Sequence, residues 1–292
     1  MHERSRAITV GVSRATRGWD ALEWAASEAY ARNCSLRIVH VVSWSPFSLS
    51  SCGALPTDPI AHALAAGAAL LGEAEKRAGR VAPGVPIATV LELGDPASAV
   101  LRVGAEGALI VLGREHRRRW RLPRVRSTVA RVTRGASGPV AVIRLRGEAA
   151  GAREARAVAL VDGGAADSAV LDVAFGAARR RGIGVTVVRA SDAPEDAIRE
   201  ESIDRTLAEC RAGFRDVPVV EQTVSHPLAA ALLTHAGGAA LLAVGPGLRR
   251  AALASLLSPP IGTDVGPLVL VAPARIARSL GPSARVDPAG RA

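Results

Sequence analysis

Aromatic residues, lysine and cysteine are all scarce in this chain of 292 residues. Phenylalanine, tryptophan and tyrosine together make up 3% of the residues, so the cores have to be built from valine, leucine, isoleucine and alanine. Lys76 is the only lysine, and nearly all of the positive charge therefore comes from arginine. The net charge of +10 favours acidic partners and nucleotides, but by itself it predicts only non-specific attraction.

The three cysteines, Cys34, Cys52 and Cys210, are isolated and odd in number. Neither a disulfide framework nor a zinc site is indicated, because no CxxC pair or cysteine and histidine spacing of that kind occurs. We therefore expect free thiols, no bound metal and a reducing, cytoplasmic location. The longest uncharged stretch, residues 225–248, is divided by proline, histidine and a glycine pair, so we expect no membrane span.

The chain repeats itself. Residues 8–41 align without a gap on residues 157–190, at an offset of 149. Each copy has the pattern of a strand, a polar loop, an amphipathic helix, a turn and a second strand. The later parts also correspond, since residues 90–113 match residues 220–245 and each copy ends in an apolar strand behind a proline. The pattern predicts two tandem α/β domains, each with a doubly wound parallel sheet of five strands.

Composition predicts the domain boundaries. The first domain covers residues 1–145 and the second covers residues 157–273, and a helix is predicted at residues 61–80 of the first. Residues 146–156, between the domains, are polar and contain glycine and alanine, which is typical of a linker. Residues 274–292 have no hydrophobic periodicity, and we expect a disordered tail there.

A buried strand, a basic loop and a helix follow one another in residues 108–144. The strand ends at Gly113, and the helix begins with the hydroxyl pair Ser127 and Thr128. This order of elements is the one by which α/β proteins bind phosphate. The loop between them is either an anion-binding clamp or a solvated basic segment. Its basic residues are Arg114, His116, Arg117, Arg118, Arg119, Arg121, Arg124 and Arg126.

In doubly wound sheets, ligands bind where the strand order reverses, at the carboxyl ends of the first and fourth strands of each sheet. In the first copy those ends are Val12 with Ser13 and, on the fourth strand, Gly113. In the second copy they are Val161 with Asp162 and, on the fourth strand, Gly245. The sequence therefore predicts two equivalent candidate sites, one in each half.

These features resemble the universal stress protein family in its tandem-domain form, over residues 7–273. The resemblance rests on VGVSRATRGWDALEWAASEA, GDPAS, VLG and PVAVIR in the first copy, and on VDGGAADSAVLDVAF and LLAVG in the second. It implies a role in the stress response without catalysis. It also implies that the last strands of the two copies pair across a two-fold axis, which makes an intramolecular pseudo-dimer and leaves further homo-oligomer formation open.

ATP-binding members of that family carry an aspartate after the first strand and a G-x2-G-x9-G-[S/T] loop after the fourth. Physically, the aspartate accepts hydrogen bonds from the nucleoside, and the glycines let backbone N–H groups approach the phosphates. In the first copy Ser13 stands at the aspartate position. His116 and Arg126 stand at the second and third glycine positions, while Ser127 and Thr128 remain.

The second copy departs from the family pattern in another way. Asp162 is retained and is followed by Gly163, and Asp162 is therefore either a nucleoside acceptor or the residue of an Asx turn or helix cap. Gly245 opens the second loop, but Leu248 replaces the next glycine and the loop is shorter. The resemblance implies these degenerate nucleotide contacts: Val12, Ser13, Val41, Gly113, His116, Arg126, Ser127, Thr128, Val161, Asp162, Gly163, Gly245 and Ser255.

Three hypotheses follow for function. The first is a non-catalytic binding module with degenerate nucleotide sites that acts through partners. The second is ATP binding, mainly in the second domain through Asp162, Gly245 and Ser255. The third is binding of a nucleic acid or another acidic macromolecule through residues 114–126, although Trp120 is the only aromatic residue in that loop.

Overall fold

The computed structural model describes residues 7–13, 19–43, 58–113, 127–143, 156–190, 197–224, 239–245 and 268–271. The first half contributes five strands and four helices to this described part. They are β1 (Ile8–Val12), α1 (Asp20–Ala31), β2 (Leu36–Val42), α2 (Pro59–Val81), β3 (Ile87–Leu93), α3 (Pro96–Gly104), β4 (Leu109–Gly113), α4 (Thr128–Gly135) and β5 (Val140–Ile143).

The second half repeats this order as far as its residues are described. The described residues form β6 (Arg156–Val161), α5 (Asp167–Arg181), β7 (Val185–Ala190), α6 (Ala197–Gly213), β8 (Val219–Val224), β9 (Ala239–Val244) and β10 (Leu268–Val271). The strand β6 begins at Arg156, which the sequence analysis assigned to the linker. The predicted tail lies outside the described residues, and the domain boundaries stay predictions.

The ten strands form one continuous sheet in the order β3-β2-β1-β4-β5-β10-β9-β6-β7-β8. Neighbouring strands within each half are parallel, whereas β5 and β10 are antiparallel, with Val142 opposite Val269. Two five-stranded doubly wound sheets are thus joined through their last strands. The predicted fold class and the predicted intramolecular pseudo-dimer are confirmed.

Each face of the sheet is covered by a different set of helices. Ile8, Val10 and Val12 alternate along β1 and pack into a core with residues from α1, α2, α5 and α6. On the opposite face, Ile110 and Leu112 pack with residues from α3 and α4. Strands buried on both faces explain the continuous apolar runs in the sequence. Burying one leucine side chain of this kind stabilises the fold by about 1.5–3 kcal/mol.

The helix α2 begins two residues before the predicted start. Pro59 occupies its first turn, and the Asp58 carboxylate accepts hydrogen bonds from the backbone N–H groups of Ile60 (3.1 Å) and Ala61 (3.0 Å). A capping aspartate followed by proline is a strong helix start. The helix is otherwise the predicted one, and it packs against β2 and β3.

Candidate functional site

The first candidate site lies at the carboxyl ends of β1 and β4, which are adjacent. Gly11 pairs with Leu112, so Val12 and Gly113 are the next neighbours along the two strands. Ser13 follows and is half-buried. Strand order reverses between β1 and β4, because β2 and β3 lie on one side of β1 while β4 and β5 lie on the other. The predicted reversal point is therefore present in the first half.

Val41 and His40 lie beside this point on β2 and face opposite sides of the sheet. Val41 packs against the core under α3 and α4. The His40 ring is on the α2 side, where its Nδ1 lies 2.9 Å from the carbonyl oxygen of Val12. A Cβ built on Gly67 of α2 would lie 2.9 Å from the His40 ring, so the helix closes tightly over it. The imidazole thus engages the last carbonyl of β1.

The helix α4 begins at the position that the sequence predicts. Ser127 is its N-cap residue and is exposed, but its hydroxyl makes no capping hydrogen bond. The first turn carries Arg131, which forms a two-pronged ion pair with Asp95 at 2.5 and 2.8 Å. Asp95 also accepts hydrogen bonds from the backbone N–H and the hydroxyl of Ser98. The start of α4 is therefore tied to the start of α3.

The pKa of Asp95 lies well below its usual value because of these contacts. The hydrogen bonds from Arg131 contribute most, and those from Ser98 add to them. The carboxylate is thus held ionised beside Arg131 and offsets its positive charge. In this conformation the arginine is engaged with a carboxylate of its own chain rather than presented to an external anion.

The second candidate site lies at the carboxyl ends of β6 and β9. Leu160 pairs with Val244, so Val161 and Gly245 are the next neighbours, in the same relation as in the first half. Gly245 lies close to α5, since a Cβ built on it would be 3.2 Å from the Cβ of Ala166 and 3.5 Å from Val170. The absence of a side chain at Gly245 lets the strand end approach the start of α5.

The loop that follows β6 folds back on itself through two aspartates. The Gly164 N–H donates to Asp162 Oδ1 at 3.1 Å, which is an Asx turn. The Gly163 N–H donates to Asp167 Oδ2 at 2.8 Å, and the Asp162 N–H lies 3.4 Å from Asp167 Oδ1. Of the two structural alternatives for Asp162, the turn is observed. The helix cap is not, because the N-cap position belongs to Ala166.

Burial, and after it the neighbouring Asp162 carboxylate, raise the pKa of Asp167, and the resulting pKa is about 6. The backbone N–H groups of Gly163 and Asp162 act in the opposite direction. The side chain is 5% exposed, so the loop after β6 rests on a buried carboxyl group that titrates near neutral pH.

The helix α6 covers this loop. Gly163 has a φ of +78°, and a Cβ built on it would lie 2.5 Å from the Cβ of Arg199 and 3.1 Å from its Cα. Glycine is therefore required here twice, once by the left-handed backbone and once by the close approach of the helix. The space directly above Gly163 is occupied by the chain itself.

Several predicted site residues lie outside the described residues. They are His116, Arg126, Ser255 and the loop residues Arg114, Arg117, Arg118, Arg119, Arg121 and Arg124. The predicted site residues that the structure does describe form two groups, one in each half. The first half holds Val12, Ser13, Val41, Gly113, Ser127 and Thr128, and the second holds Val161, Asp162, Gly163 and Gly245.

Four residues near these sites were not singled out from the sequence: Asp95, Arg131, Asp167 and Arg199. Two of them had a visible signal: Asp95 precedes a proline at a helix start, and Asp167 follows Asp162 after two glycines and two alanines. Within the described ranges, no group of three or more His, Cys, Asp or Glu side chains could hold a metal ion. Across the same part of the chain, no helix is long and apolar enough to cross a membrane.

Comparison with known proteins agrees with this geometry. The model of the universal stress protein family matches residues 5–144. Two universal stress proteins of Mycobacterium tuberculosis (strain ATCC 25618 / H37Rv) are similar along most of the chain. One is 26% identical over 261 residues, covering 83% of this chain and 87% of the relative. The other is 28% identical over 229 residues, covering 74% and 77%. The first half of the chain thus matches the universal stress protein family, and most of the chain is similar to its members.

Solved structures show the same fold for both halves together. A universal stress protein from Archaeoglobus fulgidus DSM 4304 aligns with a TM-score of 0.68 at 14% identity, covering 92% of this chain and 97% of that one. One described as a putative universal stress protein, from Pseudomonas aeruginosa UCBPP-PA14, aligns with a TM-score of 0.55 at 15% identity, covering 92% and 93%. The tandem arrangement is therefore shared with solved members of the family.

Proposed function

We propose that this chain is a non-catalytic regulatory binding module of the universal stress type, in which both nucleotide sites are degenerate. The observation that carries the proposal is the closed loop after β6. The Gly163 and Gly164 N–H groups are engaged with Asp167 and Asp162, and Arg199 lies directly against Gly163. Groups that would bind a nucleotide in the second half are thus already satisfied within the chain.

The first half supports the same proposal by a different route. Ser13 stands where ATP-binding relatives have an aspartate, so a nucleoside loses its carboxylate acceptor. The start of α4 carries Arg131, but this side chain is neutralised by Asp95. Ser127 and Thr128 retain their hydroxyls, which are weak hydrogen-bond donors. Arg131 adds no free positive charge beside them, because its guanidinium is paired with Asp95.

ATP binding in the second half is the alternative with a specific observation in its favour. Asp162 is half-buried at the strand end, and the hydrogen bond from Gly164 uses only its Oδ1. The second carboxylate oxygen would suit a nucleoside hydroxyl. Binding of this kind requires the loop under α6 to open, and it therefore predicts weak affinity.

Calorimetric titration of the full chain with Mg-ATP at moderate salt distinguishes these proposals. We expect no saturable binding in the micromolar range and no phosphate release. The matched variant is Asp162→Asn, which retains an oxygen for the Asx turn but removes the charge. Saturable micromolar binding in the natural chain that Asp162→Asn abolishes would replace our proposal with the ATP-binding one.

Titration with heparin and with single-stranded DNA tests the third function. Binding through residues 114–126 would fall steeply with salt, because each phosphate contact releases counterions. It would also be lost when Arg117, Arg118 and Arg119 are replaced together by alanine. Such a result would show polyanion binding as the activity of this chain. Equal, weak attraction before and after the replacement reflects net charge alone.

A further inference from the structure

The strand pairing that joins the two halves is nearly symmetric. In the antiparallel register Val142 is opposite Val269, Ala141 is opposite Leu270, and Val140 is opposite Val271. The two strands have similar apolar sequences, VAVI and LVLV. A two-fold axis relates them, so the backbone register would suit two copies of β5, or two copies of β10, as well as the observed pair. The strands alone do not select unlike halves.

The helices α1 and α5 occupy equivalent positions in the repeat but differ in charge. At the offset of 149, Glu28 corresponds to Ala177, and Arg32 corresponds to Arg181. Arg180 corresponds to an alanine in the first half. The acid is thus present on one helix only, while arginine is present on both.

Glu28 connects the two halves through a buried ion cluster. Its side chain is 5% exposed, and Oε1 lies 2.7 Å from Arg32, the C-cap residue of α1, and 2.9 Å from Arg180 on α5. Oε2 accepts a hydrogen bond from Arg181 at 2.9 Å. The Arg181 guanidinium also lies over the ring of Trp24, 5.4 Å from its centroid. One carboxylate of the first half therefore holds two guanidinium groups of the second.

The cluster keeps Glu28 ionised. Burial alone would raise the pKa of Glu28, but the charges of Arg32, Arg181 and Arg180 lower it by more, and the resulting pKa lies below its usual value. Arg180 has a lowered pKa, first through burial and then through the neighbouring Arg32 charge. Three cations share one anion here, so removal of the acid would leave them in mutual repulsion in a partly buried setting.

The three ways of pairing halves differ in charge. Pairing of two second halves would bring two copies each of Arg180 and Arg181 together, with Ala177 in place of an acid. Pairing of two first halves is balanced by two copies of Glu28 and Arg32, but it leaves both second halves without a partner. Pairing of unlike halves places one acid among the arginines and covers every last strand.

We infer that Glu28 is the specificity determinant of the half-to-half interface: it selects a second half as the partner of a first half, because Arg180 and Arg181 repel one another in any pairing that lacks this carboxylate. The partner surface is the last turn of α5, with Arg180 and Arg181. This inference is independent of any nucleotide, and it assigns to α1 and α5 the selectivity that the β5 and β10 strands lack.

The test compares Glu28→Gln with Glu23→Gln in the full chain. Glu23 is on the same helix and is ion-paired with Arg77 of α2, inside the first half, so it is a matched control. Hydrogen exchange is measured strand by strand, and molar mass is measured by light scattering over a range of concentrations. For Glu28→Gln we expect exchange at β5 and β10 to accelerate at least about tenfold, a loss of about 1.4 kcal/mol, with concentration-dependent association.

Exchange in β2 and β7, inside each half, should stay within about twofold of the natural chain in both variants. Unchanged protection of β5 and β10 in Glu28→Gln would overturn the inference. Equal acceleration in all strands would also overturn it, because Glu28 would then support the fold in general rather than the pairing.

Moving the carboxylate from α1 to α5 tests whether it selects the partner half or only contributes to local packing. The double variant Glu28→Ala with Ala177→Glu puts the carboxylate on the other helix, four residues before Arg181 and facing Arg32 by the repeat symmetry. A second double variant, Glu28→Arg with Arg181→Glu, exchanges the charges at positions that already hold long side chains. It replaces the first variant if a glutamate side chain does not fit at residue 177. Recovery of β5 and β10 protection in either variant is expected. Failure of both, with each half still protected, would reject the selective role.

Discussion

The Asp167 carboxylate accepts a hydrogen bond from the Gly163 N–H at 2.8 Å, so a residue in the first turn of α5 supports the loop that precedes it. Asp167 is almost fully buried, and its pKa is raised first by burial and then by the charge of Asp162. Two carboxylates thus share the carboxyl end of β6, one of them inside the protein and one half-exposed. The loop is held by a group whose charge changes near neutral pH.

Stability should therefore fall as the pH rises from 4 to 7. The pKa of Asp167 is raised from 3.8 to about 6, so between these values the folded chain holds a proton that the unfolded chain has released. Ionisation above pH 6 leaves a buried carboxylate beside Asp162. The change is up to about 3 kcal/mol, since one pKa unit corresponds to about 1.4 kcal/mol.

Urea unfolding of the natural chain and of Asp167→Asn, at half-unit pH steps, checks this expectation. The asparagine variant should lose most of the slope between pH 4 and 7. Asp216→Asn is the control, because Asp216 is a half-exposed partner of Arg179. An unchanged slope in Asp167→Asn would mean that another group is responsible.

Gly163→Ala should destabilise the chain more than Gly182→Ala. Both glycines have positive φ, +78° and +64°, and both substitutions therefore carry a left-handed penalty of about 1–2 kcal/mol. Only the Cβ at residue 163 meets another atom, the Cβ of Arg199 at 2.5 Å, whereas the space around Gly182 is open. Overpacking should add about 1–3 kcal/mol at residue 163. Denaturant unfolding of the two variants gives the difference directly.

The contact with Arg199 can be tested by a second substitution. In the Gly163→Ala background, Arg199→Gly removes the opposing Cβ, and Arg199→Ala does not. We expect partial recovery of stability with glycine alone. Equal stability of the two double variants would show that α6 shifts away from the loop.

Asp95→Ala should destabilise the first half by about 1 kcal/mol or somewhat more, because the N-cap of α3 is lost. Asp95→Asn should be milder, since an asparagine oxygen can still accept from Ser98. The ion pair with Arg131 is exposed to solvent, so a double-mutant cycle with Arg131→Ala should give only a small favourable coupling. A coupling indistinguishable from zero would show that α3 and α4 are held together by packing alone.

Cys34 and Cys210 should resist alkylation in the folded chain. Burial, with Asp172 close by, raises the pKa of Cys210 to about 12, and burial also raises the pKa of Cys34. The thiolate is the reactive species, so both residues should react with iodoacetamide at pH 8 at least about 100-fold more slowly than in urea. Peptide mass spectrometry resolves each site. Rapid labelling of either residue would indicate frequent local opening.

Much of the fold follows from local patterns in the sequence. Apolar strands that end in Gly113 and Gly245, and the repeat at an offset of 149, identify two doubly wound units and the strands between which their order reverses. The start of α4 at Ser127 is also a local signal. The pairing of β5 with β10 came from the family resemblance, because an apolar strand edge does not by itself name its partner.

The side-chain arrangement at the candidate sites depends on long-range packing, and the sequence could not predict it. Arg199 reaches Gly163 from a helix 36 residues later, because α6 packs across the loop. Asp95 and Arg131 are also 36 residues apart, and Glu28 and Arg180 are 152 apart. No rule of sequence spacing predicts either ion pair, because the orientation of the helices and the side-chain rotamers decide which charges meet.

The joining of β5 to β10 leaves β3 and β8 as the outermost strands of the ten-stranded sheet. Each of these borders carries an ion-paired glutamate, with Glu92 bound to Arg102 and Glu221 bound to Arg211. Charged side chains on an outermost strand disfavour the addition of another strand at either border. We therefore expect that molecules of this protein do not associate edge to edge into longer sheets, even at high protein concentration.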